Sequence, residues 1–322
     1  MKTTTGLVLA AAIAATSVAV PAEAQTTLRI GHFPNITHIQ ALVAHNMSRT
    51  GKGWFEPRLG GDIKIEWYIY NAGPSAMEAV FAKSIDLTYV GPNPAINAYF
   101  KSAGQEARVV AGAVNGGSAL VVQSDSTLKT PADFRGKKIA TPQFGNTQDV
   151  AARAWLIAGG LKITQTGGDA QVVPTANPDQ LSLFKSKQLD GVWTVEPWVS
   201  RLVAEAGGKV LIDDRDAITT VLVARAEVLA TQRDLVRKVV AAHRELTEWI
   251  KANPAEAQRL AREELEAETH AKFAPELVVS AWNRIVLTSD ASLDALKTLI
   301  ASAQSVGFLR NAPDLSRLVE KP

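Results

Sequence analysis

The amino-acid sequence predicts an α/β fold made of two similar units followed by a helical segment. Short β-branched runs alternate with helical patterns from residue 28 onward, which is typical of largely parallel sheets. The alternation starts again near residue 129, and the pattern is almost entirely helical from 227 to 318. With 322 residues, 46% of them hydrophobic, the chain is long enough for about two domains with buried cores.

The first unit contains four predicted strands and three predicted helices. The clearest strand covers residues 63–69, because apolar and polar residues alternate there with a period of two. The other strands are predicted at 28–30, 87–90 and 108–114, and the helices at 38–47, 75–81 and 95–102.

The second unit repeats this order of elements, and a helical segment follows it. Its strands are predicted at 137–141, 171–173, 191–194 and 209–212, and its helices at 150–158, at 178–187 and up to residue 206. The pattern changes after residues 219–224. In the helical segment, Asn253 and Pro254 mark the end of one helix and the start of the next.

Nearly every predicted strand is followed by a turn rich in Gly, Pro, Asn or Ser. A helix N-terminus carries unpaired N–H groups and a partial positive charge. Several such ends at the carboxyl edge of a sheet therefore form an anion site without a basic side chain. The alternative is that the predicted N-caps only stabilise their helices, but six turns facing one cleft favour a shared ligand. The turns are 31–38, 71–75, 91–94, 115–118, 141–147 and 194–198, and the predicted N-caps are Thr37, Ser75, Asn93 and Asn146.

Aromatic residues accompany these turns and suit a ligand with an organic body and a polar head. They are Phe33, Phe144, Trp193 and Trp198. Glu196 begins a helix, where a carboxylate stabilises the helix dipole. The same carboxylate could equally accept a hydrogen bond from a ligand or from a residue across the cleft.

Composition and motifs argue against several other functions. The 34 Lys and Arg residues balance 32 Asp and Glu residues, so no nucleic-acid partner is expected. The absence of cysteine excludes disulfides, thiolate metal sites and cysteine nucleophiles. The common nucleophile, phosphate-loop, dinucleotide and zinc motifs do not occur, so we expect a protein without catalytic residues or cofactor. His38 and His45 could share a helix face, but no further ligands can be named, and no metal site is predicted.

The N-terminus has the pattern of a secretory signal peptide. Lys2 precedes an apolar stretch over residues 7–20, and a small-x-small cleavage pattern ends at Ala24. The apolar stretch is short for a membrane-spanning helix. We therefore expect cleavage after Ala24 and a periplasmic location.

Four stretches resemble the periplasmic substrate-binding proteins of ABC importers for nitrate, aliphatic sulfonates and taurine. They are LRIGHFPNITH (28–38), DLTYVGPNPA (86–95), TPADFRGKKIA (130–140) and LDGVWTVEPW (189–198). The resemblance implies a two-lobed periplasmic-binding-protein fold of type II. Each lobe would be a mostly parallel sheet flanked by helices, with an all-helical C-terminal extension of lobe one. Lobe one would comprise residues 25–124 and 217–322, and lobe two residues 125–216, with hinge crossings near Ser124 and Asp216.

The resemblance also implies a function without catalysis. The chain would be a monomer that captures a small organic anion, an aliphatic sulfonate, and delivers it to an ABC permease with a separate ATPase. Nitrate, taurine, a sulfate ester or an aromatic acid remain alternatives, as does a role as the ligand-presenting component of a sensor. The HFPN segment after the first strand departs from many family members, which leaves room for a different ligand. The candidate ligand-binding residues are His32, Phe33, Asn35, Thr37, His38, Ser75, Pro92, Asn93, Gly117, Ser118, Asn146, Thr147, Trp193 and Glu196.

Overall fold

Two β-sheets organise the part of the chain that the computed structural model describes, residues 25–60, 62–310 and 314–322. The predicted signal peptide, residues 1–24, lies outside these ranges. The strands are β1 (Thr26–His32), β2 (Ile63–Ile69), β3 (Leu87–Val90), β4 (Ala107–Gly116), β5 (Ser118–Val122), β6 (Lys138–Thr141), β7 (Gln171–Pro174), β8 (Gly191–Val195), β9 (Lys209–Asp214), β10 (Ile218–Arg225) and β11 (Ile285–Leu287).

Both sheets are mixed, which corrects the expectation of mostly parallel sheets. The first sheet has the order β11-β4-β10-β3-β1-β2, and the second has the order β7-β6-β8-β5-β9. In the first sheet, β1 pairs parallel with β2 and β3, whereas β10 pairs antiparallel with β3 and β4. In the second sheet, β5 pairs antiparallel with β8 and β9. β5 and β10 are the first strands after each crossing between the sheets, and both pair antiparallel with their neighbours.

Helices cover both faces of each sheet. In the first sheet, α1, α9 and α10 cover one face, and α3, α4 and α12 cover the other. In the second sheet, α5 packs on one face, and α6 and α7 on the other. Within the described ranges, no helix combines the length and apolar character needed to cross a bilayer. The helices are α1 (Ile39–Arg49), α2 (Glu56–Leu59), α3 (Gly73–Phe81), α4 (Pro92–Lys101), α5 (Thr147–Ala158), α6 (Asn177–Lys185), α7 (Trp198–Ala206), α8 (Ala226–Thr231), α9 (Arg233–Ala252), α10 (Pro254–Thr269), α11 (Pro275–Trp282) and α12 (Leu293–Ser305).

The chain passes from the first sheet to the second at Gly116 and Gly117. These glycines have φ values of 71° and 69°, a left-handed conformation that most residues avoid. They divide one long apolar run into β4 and β5, and β5 lies in the second sheet. The sequence pattern places the crossing near 124 because residues 115–118 resemble a turn and the strand after them, β5, has no turn of its own before it. The return crossing lies between β9 and β10, where the amide of Gly116 donates to the carbonyl of Ala217 at 2.8 Å.

The C-terminal segment is helical apart from one short strand. β11 pairs antiparallel with β4 at the edge of the first sheet, which corrects the expectation of an all-helical extension. Its three residues are too few to show an alternating pattern in the sequence. Near the end of the chain, Val319 also bridges to Val109 on β4. The whole segment therefore belongs with the first sheet.

Prolines near the first position explain why α3 and α4 start earlier than the sequence predicts. α3 and α4 carry a proline in their first two positions, where the missing N–H costs nothing. Their N-caps are consequently Ala72 and Gly91, and the predicted caps Ser75 and Asn93 lie inside the helices. Thr37 lies in a single 3₁₀ turn before α1 and does not cap it. The remaining prediction, Asn146, is confirmed as an N-cap, since its side chain accepts from the amide of Asp149.

Candidate functional site

A narrow cavity of about 340 Å³, including its mouth, lies between the carboxyl ends of strands from both sheets. Five of the six predicted turns contribute to its wall; the turn at 115–118 does not. The lining residues are Phe33, Asn35, Thr37, His38, Asn71, Ala72, Gly73, Gly91, Pro94, Pro142, Asn146, Thr147, Gln148, Val195 and Thr219. In open α/β sheets, ligands bind in the crevice where such turns meet at the carboxyl ends of the strands.

The start of α5 is the most developed part of the wall. Asn146 Oδ1 accepts from the amide of Asp149 at 2.8 Å, which satisfies the third amide of the helix. Thr147 and Gln148 supply the first two amides, which have no acceptor within a helix. Both residues line the cavity. The helix therefore presents free N–H groups and its positive dipole end to a ligand placed there.

A buried ion pair supports this helix start from behind. The carboxylate of Asp149 receives two hydrogen bonds from the guanidinium of Arg153, at 3.0 and 3.1 Å. It also accepts from the hydroxyl of Thr141 and the amide of Gly145. Because Arg153 balances its charge, Asp149 can hold the loop without repelling an anion in the cavity.

The loop after β1 forms the opposite wall. The ring of Phe33 packs on the ring of His38, with centroids 4.3 Å apart. Nδ1 of His38 accepts from the amide of Phe33 at 3.4 Å, so the neutral ring carries its hydrogen on Nε2. Burial and the neighbouring His32 hold the pKa of His38 well below its ordinary value. His38 is therefore a neutral donor at the ordinary pH of a cell compartment.

Neutral polar groups make up the polar part of the lining. Nδ2 of Asn146 donates to Gln148 Oε1, and Gln148 Nε2 donates to the hydroxyl of Ser118. The hydroxyl of Thr219 bonds the carbonyl oxygens of Val114 and Gly116. Among the described residues that line the cavity, none is Asp, Glu, Lys or Arg. This arrangement can bind an anion through hydrogen bonds, without a countercharge in contact with it.

The two sheets are joined by direct contacts beside the cavity. The indole N–H of Trp198 on α7 donates to Asn35 Oδ1 at 3.0 Å. The amide of Ile36 donates to the carbonyl of Glu196 at 2.9 Å. These bonds connect the loop after β1 with the start of α7.

A second contact brings the starts of α4 and α5 together. The amide of Asn93 lies 3.4 Å from the hydroxyl oxygen of Thr147. Gly91 lies against the same hydroxyl, because a Cβ added there would be only 2.5 Å from it. Glycine at this position lets the two helix starts approach each other.

Glu196 is fully buried at the start of α7 and outside the cavity. Its carboxylate accepts from the amide and the hydroxyl of Ser200 at 3.1 and 3.0 Å. Arg284, which precedes β11, approaches to 3.3 Å. Burial nevertheless raises the pKa of Glu196 to about 7. Two of the roles predicted for Glu196 from the sequence are therefore seen. Its carboxylate lies at a helix start, and it contacts Arg284 across the cleft.

The fourteen predicted ligand-binding residues divide into two groups. Six line the cavity: Phe33, Asn35, Thr37, His38, Asn146 and Thr147. The other eight lie around or behind it: His32, Ser75, Pro92, Asn93, Gly117, Ser118, Trp193 and Glu196.

Local contacts explain why several residues of the second group lie outside the cavity. The hydroxyl of Ser75 donates to the carbonyl of Ala72 at 2.8 Å. Trp193 packs edge-on against Trp155 within the core of the second sheet. His32 is buried against His45, on the side of β1 where α1 packs. A sequence pattern identifies a turn, but it does not say towards which side each of its residues faces.

Nine lining residues are missing from the candidates drawn from the sequence. Glycine in a turn signals close backbone approach, and a polar residue after an N-cap signals the first turn of a helix. These two signals could have found Gly73, Gly91 and Gln148. Thr219 lies inside β10, where nothing in the pattern marks it. The nine residues are Asn71, Ala72, Gly73, Gly91, Pro94, Pro142, Gln148, Val195 and Thr219.

Comparison with known sequences gives consistent matches over most of the chain. The sequence model of the NMT1-like family matches residues 21–263. A Brucella abortus (strain 2308) protein named as a binding protein is 28% identical over 253 residues, which are 75% of this chain and 74% of that protein. An Escherichia coli K12 protein named as an aliphatic sulfonates-binding protein is 28% identical over 218 residues, 67% of this chain and 64% of that protein.

Comparison with solved structures gives the same fold. The alkanesulfonate-binding protein SsuA from Xanthomonas axonopodis pv. citri, bound to MOPS, superposes with a TM-score of 0.74 and 20% identity, over 94% of this chain and 100% of that chain. The nitrate-binding protein NrtA from Synechocystis PCC 6803 gives 0.70 and 14%, over 90% and 83%. These likenesses confirm the periplasmic-binding-protein fold that the sequence predicts, with its sheets mixed as described above.

Proposed function

We propose, from the premise that the chain belongs to the NMT1-like family, that it is a periplasmic solute-binding protein for a small aliphatic sulfonate. It would deliver this anion to an ABC permease driven by a separate ATPase. The observation that carries the proposal is the cavity between the two sheets, which is rich in neutral donors and has a free helix start in its wall.

The polar part of the cavity suits the sulfonate head. Three oxygens share one negative charge in a sulfonate, and each accepts hydrogen bonds. The first amides of α5, the hydroxyls of Thr37 and Thr147 and the side-chain amide of Asn71 are donors of the required kind. The names of the E. coli and Xanthomonas relatives support the same ligand class.

The rest of the cavity suits a short organic body. Phe33, Pro94 and Val195 give apolar surface beside the donors, the combination that is common in small-molecule sites. Taurine carries an ammonium group that needs a countercharge or several acceptors, and no described lining residue is Asp or Glu. Nitrate would leave the apolar surface unused. A short alkanesulfonate uses both kinds of surface.

The two sheets are proposed to be the cores of two lobes that close around the ligand. The crossings at residues 116–117 and 214–218 would then form the hinge, displaced from the crossing near 124 expected from the sequence. A ligand that contacts both lobes binds the closed state better than the open state, and this difference in affinity drives closure. The permease would recognise the closed shape.

The proposal is tested by calorimetric titration of residues 25–322. The panel comprises ethanesulfonate, longer alkanesulfonates, taurine, nitrate, a sulfate ester and benzoate. We expect ethanesulfonate to bind at micromolar concentration or tighter, and every other member more weakly. Tighter binding of nitrate or taurine would replace the ligand but keep the binding function, and no binding by any member would contradict the proposed anion class.

Thr147→Val tests the position of the site. The variant removes one hydroxyl from the cavity wall and keeps the side-chain shape, so we expect ethanesulfonate affinity to fall about 5- to 10-fold. Thr298→Val is the matched control, because Thr298 is exposed on α12. Equal affinity in the two variants would remove Thr147 from the site.

A further inference from the structure

Two histidines and a glutamate from distant parts of the chain meet on the far side of β1 from the cavity. They are His32 at the end of β1, His45 on α1 and Glu268 on α10. The side chains of His32 and Glu268 are 0% and 2% exposed, and that of His45 is 16% exposed. The sequence analysis predicts no metal site because it considers only histidine spacing, and Glu268 lies more than 200 residues from both.

Three donor atoms form a nearly equilateral triangle. His32 Nε2 lies 3.1 Å from His45 Nδ1 and 3.0 Å from Glu268 Oε1, and His45 Nδ1 lies 2.9 Å from Glu268 Oε1. Ligands about 2.1 Å from an ion are about 3.0 Å apart in an octahedral site and about 3.4 Å apart in a tetrahedral one. The triangle therefore has the size of one face of a coordination polyhedron around a small divalent ion.

Hydrogen bonding alone does not satisfy these three atoms. His32 Nδ1 faces the carbonyl of Phe33 at 3.3 Å, and a carbonyl only accepts. The neutral ring then carries its hydrogen on Nδ1, and Nε2 presents a lone pair to the cluster. His45 Nδ1 carries at most one hydrogen, but it faces both His32 Nε2 and Glu268 Oε1. At least two of the three atoms therefore face each other with lone pairs and no hydrogen between them. A metal ion satisfies all three lone pairs at once.

Neighbouring groups orient the cluster as they do in known metal sites. The bond to the Phe33 carbonyl fixes the ring of His32, and the indole of Trp67 stacks on His45 with centroids 5.2 Å apart.

A second buried carboxylate lies one helical turn away on α10. Glu264 Oε1 is 3.2 Å from His45 Nδ1 and is buried without any hydrogen-bond partner among the described residues. Its other oxygen accepts from Asn46 and Arg49. Glu264 Oε1 is thus available as a further ligand or as an acceptor for a metal-bound water.

A surface groove leads to the cluster. It is lined by His45, Arg49, Glu56 and Trp67, among others, and gives an entry path from solvent.

We propose that His32 Nε2, His45 Nδ1 and Glu268 Oε1 bind a divalent transition-metal ion. Two imidazoles and a carboxylate suit Zn²⁺ and its first-row neighbours, whereas Mg²⁺ and Ca²⁺ prefer oxygen ligands alone. The ion would tie β1, α1 and α10 together directly behind the loop of residues 33–38. Its role would be to hold that wall of the cavity in place.

Zinc titration of the chelator-treated chain, residues 25–322, tests the proposal. The probe is Zn²⁺ in competition with a chromophoric chelator, with Mg²⁺ titrated separately. We expect one tightly bound Zn²⁺ per chain, a higher melting temperature with Zn²⁺, and no competition from Mg²⁺. Absence of a stoichiometric site in the wild-type chain would overturn the proposal and leave the three side chains as a buried polar cluster.

Two variants and one control locate the ion. His45→Ala and Glu268→Gln should each lower Zn²⁺ affinity by at least about 100-fold, since even second-sphere changes cost 10- to 100-fold. His270→Asn is the control, because His270 is exposed beyond the end of α10 in a left-handed conformation that Asn tolerates. Unchanged zinc binding in the first two variants would place the ion elsewhere and contradict the assignment. If either variant fails to fold, anomalous diffraction from a zinc-soaked wild-type crystal decides, because it must show the ion between these three atoms.

Discussion

Glu196 shows how its surroundings set the chemistry of a single side chain. Its carboxylate caps α7 through Ser200 and meets Arg284, yet it is fully buried, and burial raises its pKa to about 7. The ordinary pKa of a glutamate is 4.5. The folded chain therefore holds a proton on Glu196 over a pH range in which the unfolded chain releases it.

Glu196→Gln tests this linkage. A raised pKa in the folded state contributes stability that is fully present below pH 4.5 and is lost as the pH rises through about 7. The wild type should therefore lose up to about 3 kcal/mol of stability relative to Glu196→Gln between pH 4.5 and 8. Urea denaturation at several pH values measures this difference, and parallel stability curves for the two proteins would contradict it.

What the sequence predicts about single residues depends on how local their interactions are. Asn146 is predicted correctly as an N-cap because the cap and its amide partner lie three residues apart. Ser75 and Asn93 are misplaced because Pro74 and Pro92 start their helices earlier. The contact between His32 and Glu268 is invisible in the sequence, because only the packing of α10 against α1 creates it.

At the scale of elements, two helix starts from different units approach each other beside the cavity. Gly91 precedes α4, and Thr147 begins α5. Gly91 has φ −62° and ψ 148°, a conformation open to any residue. Its lack of a side chain therefore matters for the approach of α5 and not for the backbone.

Gly91→Ala should weaken ligand binding without unfolding the chain. The added Cβ would lie 2.5 Å from the Thr147 hydroxyl, so the helix starts must separate, and we expect about a tenfold loss of ethanesulfonate affinity. Gly73→Ala is the contrasting variant, because its Cβ would meet Pro94 at 2.3 Å within the first unit and lower folding stability. Calorimetry and thermal melting separate the two effects. A loss of stability in Gly91→Ala equal to that in Gly73→Ala would contradict this account.

The sequence predicts strands correctly where apolar residues alternate or form a short run between turns. It does not predict strands that lack such a pattern. β2 and β3 match their predicted bounds because alternation or a short apolar run between turns defines them. β5 was missed because it follows β4 after only one residue, and glycine there was read as a turn. β11 has only three residues, so its pairing with β4 depends on the completed sheet and not on its own pattern.

At the scale of the whole molecule, a few bonds beside the cavity join the two units. The bond from Trp198 to Asn35 is one of them, and it joins residues 163 positions apart. Arg284 contributes another, since it contacts both Glu196 and Asp213 from the C-terminal segment.

Trp198→Phe should shift the molecule towards an open arrangement. The substitution keeps an aromatic ring but removes the N–H that bonds Asn35, which should cost about 1 kcal/mol of closure. We expect about fivefold weaker ethanesulfonate binding and a larger radius of gyration at equal ligand concentration, measured by small-angle scattering. Trp249→Phe, the same change far from the cleft, should change neither quantity, and an equal effect in both variants would count against the proposed closure.

The sequence predicts the two-unit architecture because each unit repeats a familiar order of strands and helices. It does not predict how closely the units approach, because that distance depends on contacts between residues far apart in the chain. The six predicted lining residues all come from turns whose position a strand pattern defines. The other lining residues were not singled out from the sequence, and Thr219 is one that the pattern does not distinguish from its neighbours.

If the two crossings form the proposed hinge, the second unit pivots about them when a ligand binds. Gly116 and Ala217 are hydrogen-bonded at the pivot, whereas Phe144 and Phe308 touch between the two units, with ring centroids 4.9 Å apart. The chain contains no cysteine, so a thiol introduced at position 144 would be its only one. The fluorescence of a dye attached there would change with its distance from Phe308. The labelled protein would then report binding of its ligand optically.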